Sequence, residues 1–343
     1  MVWWLSAPVV GRDMQEMNKH GRNLDFLTCS VLASVLALMS CGGATSDSSQ
    51  STHGTGGATT GLGGATSSSD SGGCNPISFA DPALETAVAD AVSSQGLASA
   101  GDLTDFAASR LGISELAGIE CLAGLTRLSL WNNSIRDLGP LAGLVLLKRL
   151  DVSNNPIDDL APLAGLNGLE VLMVDNSQVA ELSPLRGLVH LQTFTAANTT
   201  VKFVQPLENA TALAGLDLTH DPIQDPKYLA KFTQLETLEA NGTGLIDLSF
   251  LPSLTNLTEL HLGSNPLSDI TATAGLAKLK VLDLVDDEVS DLEPLRALGT
   301  QSLQLLLAGN PLSDQALQIT LPALCDRDWV IQWTDGGCGT PVP

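Results

Sequence analysis

LTRLSLWNNSIRDLGPLAGLV (Leu125–Val145) is followed one residue later by LKRLDVSNNPIDDLAPLAGLN (Leu147–Asn167), and the two align position by position at a spacing of 22. The period continues. Leu125, Leu147, Leu169, Leu191, Leu213, Leu235, Leu257 and Leu279 form one column. Leu128, Leu150, Leu172, Phe194, Leu216, Leu238, Leu260 and Leu282 form the next. Two residues further on stand Leu130, Val152, Val174, Ala196, Leu218, Ala240, Leu262 and Leu284, and five beyond those Ile135, Ile157, Val179, Val201, Ile223, Leu245, Leu267 and Val289. Self-similarity at a fixed short period marks a solenoid. Leu128-x-Leu130 alternates with period two, as a short strand with one buried face does. One such unit cannot bury its apolar face alone, so stability comes from stacking.

The pattern LxxLxLxxNxIxDLxPLxxLxx resembles the leucine-rich repeat, in the 22-residue bacterial class of internalin-like surface proteins, over about residues 79–312. The resemblance implies an α/β repeat solenoid. It is a right-handed coil with a parallel concave β-sheet, short turns or 3₁₀ pieces outside, a helical N-terminal cap and a disulfide-bearing C-terminal cap. It also implies that Asn133, Asn155, Asn265 and Asn310 form a buried amide ladder. Ser177, Thr199, Asp221, Thr243 and Asp287 break that ladder, so looser turns are expected mid-array. Pro140, Pro162, Pro184, Pro206 and Pro294 mark where each strand stops. Asp137, Asp159, Asp225, Asp247, Asp269 and Asp291, with Glu181 as a near match, recur on the convex side. They are read as caps of their own turns rather than as a metal-binding column.

Five segments follow: 1–40 signal, 41–73 tether, 74–112 N-terminal cap, 113–312 repeats, 313–343 C-terminal cap. Asp81-Pro82 offers a helix N-cap with proline at the first helical position, and Leu84, Val88 and Val92 follow at helical spacing, with Leu103 and Phe106 completing the cap. Phe26–Met39 is an apolar run too short to span a bilayer, preceded by Lys19 and Arg22: signal-peptide grammar. Leu38-Met39-Ser40-Cys41 resembles a lipobox, which makes Cys41 the lipidated residue. Translation from Met17 would give a signal of ordinary proportions. Of the 32 residues 42–73, 24 are Gly, Ser or Thr, and the segment cannot bury enough surface to fold. As a flexible coil they would span roughly 30 Å. Gly42 after the Cys favours the outer membrane or cell surface over inner-membrane retention.

Cys74, Cys121, Cys325 and Cys338 are then an even set with one pair near each cap, fitting an oxidising compartment. Three connectivities are open. Cys74–Cys121 and Cys325–Cys338 are favoured, because the solenoid separates the ends. Trp329 and Trp333 are read as a plug for the last coil rather than a carbohydrate platform.

The net charge is −22, with 16 Lys or Arg against 38 Asp or Glu. That balance argues against nucleic acid and against docking on anionic lipid; membrane contact is expected through the lipid anchor only. GxSxG, Walker and HExxH motifs are absent, and no enzyme activity, cofactor or metal is expected. His220 and His261 should face the concave side about two strands apart, too far for one ion, and are read as ordinary surface residues.

The concave strip is the candidate binding surface: Arg127, Ser129, Trp131, Arg149, Asp151, Met173, Asp175, Asp217, Glu239, His261 and Asp283. Seven acids along it (Asp151, Asp175, Asp217, Glu239, Glu259, Asp283, Asp286) outnumber two bases, which leaves it acidic toward its C-terminal half. Arg127, Trp131 and Arg149 form an anchor of the residue types that dominate binding energy. The acids would steer a basic partner. The expected function is protein–protein binding by a membrane-anchored, extracytoplasmic protein. The alternatives are an envelope organiser without a dedicated ligand, and a glycan-acting enzyme using concave carboxylates such as Asp217. Internalin-like relatives bind cell-surface proteins, but without a cell-wall sorting signal here host binding is not expected to transfer.

Overall fold

The computed structural model describes Cys74 and residues 77–339. The signal, Cys41 and the tether therefore lie outside the described residues. The first element among the described residues is α1 (Pro82–Gln95), whose N-cap Asp81 accepts the N–H of Ala83 at 2.9 Å. Pro82 starts the helix where no N–H is needed, and Gly96 ends it in the left-handed region. The other carboxylate oxygen of Asp81 accepts the N–H of Ser114 at 2.8 Å, which pins the helix to the first coil.

Twelve strands then follow in one sheet in chain order. They are β1 (Asp105–Ala107), β2 (Arg127–Ser129), β3 (Arg149–Asp151), β4 (Val171–Met173), β5 (Thr193–Thr195), β6 (Gly215–Asp217), β7 (Thr237–Glu239), β8 (Glu259–His261), β9 (Val281–Asp283), β10 (Leu303–Leu306), β11 (Trp329–Trp333) and β12 (Gly336–Cys338). Pairing is parallel through β11, and β12 turns back antiparallel. From β2 to β9 each residue pairs with the one 22 positions on, as in Leu128↔Leu150 and Leu216↔Leu238. The central strand residue points inward and is buried in every coil, from Leu128 to Leu282. The sheet runs past the segment recognisable as repeats at both ends, since Phe106 pairs with Leu128 and Leu305 with Ile331.

Outside the sheet, 3₁₀ segments such as Ala161–Gly165 and Ser183–Gly187 carry the chain back. Each coil leaves its strand through one left-handed residue: Asn132, Asn154, Asn176, Asn198, His220, Gly242, Ser264 or Asp286. Asn, Gly and Asp tolerate that conformation best. The amide ladder is present. Asn155 donates to Leu130 O at 2.9 Å and Val152 O at 3.0 Å, and accepts the N–H of Ile135 at 3.0 Å. At Ser177 the only such bond is a long one, 3.5 Å from the N–H of Val179. Asn176, Asn198 and His220 nevertheless take the same left-handed step as Asn132 and Asn154, so the thinning at Ser177 is in its side-chain bonding.

Convex capping holds for Asp137, Asp159, Asp247, Asp269 and Asp291, each accepting the N–H two residues on at 2.7–2.9 Å. Asp225 departs from it. It reaches back to the preceding coil and accepts the N–H groups of Val204 at 2.8 Å and Gln205 at 2.9 Å. The reason lies one coil earlier, where Phe203 occupies the capping position and leaves that 3₁₀ start without a carboxylate of its own.

Both expected disulfides close, Cys74–Cys121 and Cys325–Cys338. Trp329 is buried under the last coil, and Trp333 packs beside it against the same core. Deleting one column residue should destabilise strongly: Leu238→Ala is expected to cost about 2–5 kcal/mol in urea unfolding. Asp225→Ala should cost more than Asp247→Ala by about 1 kcal/mol in the same assay, because Asp225 serves two N–H groups from a buried position.

Candidate binding face

The outward side chains of the strands form three columns, fixed by the pairing. The middle one runs Ser129, Asp151, Met173, Thr195, Asp217, Glu239, His261, Asp283. All the concave residues expected from sequence lie on this one face, though they do not form one compact site.

At the N-terminal end, Arg127 is exposed and pairs with Asp105 at 2.9 Å. The Arg110 guanidinium lies over the Trp131 ring, 4.2 Å from its centroid, so one face of the anchor aromatic is already covered by a cation. Sequence spacing did not reveal this contact, because Arg110 belongs to the cap. Arg149, opposite Arg127 in the register, forms no ion pair among the described residues and is the cation left available at this end of the face.

The centre is lined by carboxylates that local N–H and hydroxyl groups hold in place. Asp151 accepts the N–H of Ser153 at 3.0 Å, and Asp217 that of Thr219 at 2.9 Å. Asp175 accepts the Thr195 hydroxyl at 2.7 Å and the Ala197 N–H at 2.8 Å. Burial, with the neighbouring charges of Asp217 and Asp151 adding to it, pushes the Asp175 carboxyl up to about 7. Burial also raises Asp151 and Asp217. Thr193, Thr195 and Thr237 make a buried floor between them.

Further along, His261 Nδ1 lies 3.6 Å from Asp283 Oδ2. Burial disfavours the imidazolium, yet the hydrogen bond with Asp283 and the charges of Glu239, Asp283 and Glu259 outweigh it, and the imidazole is held above its ordinary value. This corrects the reading of His261 as an ordinary surface residue: it is a half-buried imidazole set among acids. His220 sits instead at the edge of the face, exposed, with Nδ1 2.8 Å from Asn198 Oδ1. Among the described residues no group of three or more His, Cys, Asp or Glu could hold a metal ion.

The family described as Leucine Rich repeats (2 copies) matches at residues 123–165, 233–278 and 255–297. Among solved structures, internalin C2 of Listeria monocytogenes is 32% identical with a TM-score of 0.56, and the alignment covers 60% of this chain and 93% of that one. The chain belongs to the internalin-like leucine-rich-repeat proteins. Internalin F of the same organism is 25% identical, with a TM-score of 0.52 and coverage of 76% and 92%. A leucine-rich-repeat protein of Leptospira interrogans shares the fold at 21% identity and a TM-score of 0.58, over 63% of this chain and 57% of that one. No curated protein sequence matches.

Leucine-rich-repeat folds of this kind are typically protein–protein interaction modules without catalysis. The two disulfides and the internalin likeness mark an exported protein. No helix among the described residues is long and apolar enough to cross a membrane. Asp283→Asn should bring the His261 titration midpoint down, read from its imidazole NMR shifts against pH, because the substitution removes both the bond and one of the three charges.

Proposed function

We propose that this is an exported, lipid-anchored recognition protein that holds its solenoid away from a membrane on the 41–73 tether and binds a protein partner on the concave face. The observation that carries the reading is the imbalance of that face. Asp151, Asp175 and Asp217 fall on or just beyond β3, β4 and β6 and take part in no ion pair with a Lys or Arg among the described residues, while Arg149 and Trp131 both belong to the N-terminal coils of the face. Uncompensated charge on a preformed surface costs self-repulsion that a partner of opposite sign relieves. A basic segment along the acidic centre and an apolar or acidic contact at Trp131 and Arg149 would complement both parts. Cys41, as the acylated residue, would supply the membrane attachment, with the outer membrane or cell surface as its site.

Crosslinking the purified protein on intact cells tests the reading. A dedicated partner should be captured by the wild type and lost from Trp131→Ala/Arg149→Glu, with weaker capture at higher salt. Unchanged capture by that variant would instead favour an envelope organiser with no dedicated face. Metabolic labelling with a fatty-acid analogue should label the wild type and not Cys41→Ser.

A further inference from the structure

The amide ladder has a consistent offset. Asn133 donates through Nδ2 to Leu130 O and Ala108 O, Asn155 to Val152 O and Leu130 O, and Asn265 to Leu262 O and Ala240 O. Each thus serves the carbonyl three residues earlier and another one coil back. Asp221 and Asp287 occupy the same column.

Asp221 is wholly buried. Its Oδ1 accepts the Thr199 N–H at 2.9 Å, and its two oxygens share the Thr199 hydroxyl at 2.9 and 3.0 Å. The carbonyls that an amide here would serve are those of Ala196 and Leu218. Among the described residues neither receives a side-chain donor, although Leu218 O accepts the Asp221 N–H at 3.0 Å. Asp287 is also buried. Its Oδ1 accepts the Asn265 N–H at 2.7 Å, while Oδ2 is buried with no partner. An ionised carboxylate can only accept, so in a column whose asparagines donate to carbonyls it has nothing to give; a neutral carboxyl has one O–H to donate. Leaving such a buried group unsatisfied is destabilising.

We propose that Asp221 and Asp287 serve the ladder as neutral acids, each donating its O–H to a main-chain carbonyl in place of the amide, so that the solenoid takes up protons on folding and tightens as its surroundings acidify. The surroundings agree with this. Burial, aided by the charges of Asp217 and Asp175, pushes Asp221 up to about 7 against the opposing Thr199 bonds. Burial, aided by Asp283 and Asp286, pushes Asp287 up to about 7 against the Asn265 N–H. In the unfolded chain both carboxyls titrate near the ordinary 3.8. The folded state therefore binds more protons between these values, and stability rises as pH falls through 7 and is lost as pH climbs through it. Asp151, Asp175, Asp217 and His261, raised in the same direction, contribute with the same sign. Asp81 and Asp269 are lowered and act only below the window.

Urea unfolding of the purified chain near pH 5 and near pH 8 tests this, with substitution separating the ladder from those four groups. The wild type should unfold at higher urea near pH 5. Asp221→Asn/Asp287→Asn should unfold later than wild type near pH 8 and lose at least half of the difference between the two pH values. In infrared spectra near pH 6, the band of protonated carboxyl should be present in the wild type and weakened in the double variant. A wild type no more stable near pH 5 than near pH 8 would overturn the proposal. So would a double variant that keeps the full pH difference, or one that fails to fold, since neighbouring coils already carry Asn in this column.

Discussion

Each coil of this protein buries its leucines only against the coils before and after it. Everything else depends on that mutual burial. Because strand residues repeat every 22 positions, Leu128 lies on Leu150 and Leu150 on Leu172, and the apolar centre of one strand meets the apolar centre of the next. The apolar columns, the amide ladder and the outward columns are therefore a single choice of register seen at three depths. A slip of one residue would turn every buried leucine toward water.

The same register gives the face its chemistry. Side chains that are far apart in sequence become neighbours one strand apart, so the charges of β3 to β9 form a continuous strip rather than scattered surface groups. The strip is not uniform. Its N-terminal end carries Arg127, Arg149 and a Trp131 backed by Arg110, its middle has buried carboxylates over a threonine floor, and its far end has His261 among acids.

The columns of Leu125 and Leu128 could be read from spacing alone, because a period of 22 over eight coils has no other physical explanation. The helix behind Asp81 and the two disulfides were also legible, since each follows from local chemistry or from the separation of the ends, and the Asn ladder was implied by the family resemblance. Features that depend on a neighbour were not. Asp225 looks like the other convex aspartates, and its different partner is decided by Phe203 one coil earlier. Strand β11 was hidden because Trp329–Trp333 does not follow the period, although its backbone extends the sheet as faithfully as any repeat. The environment of His261 was missed because its carboxylate neighbours come from three different strands.

Strand β12 runs against the direction of all the others, and Cys338 on it is bonded to Cys325. A parallel edge could accept the first strand of a second molecule in the same sense as its own coils, and chains joined that way would grow head to tail without limit. The reversed final strand instead ends the parallel stacking within the chain itself, and the sulfur bridge ties it back to the segment before β11. The edge strand at this end is thereby covalently tethered rather than held by backbone hydrogen bonds alone.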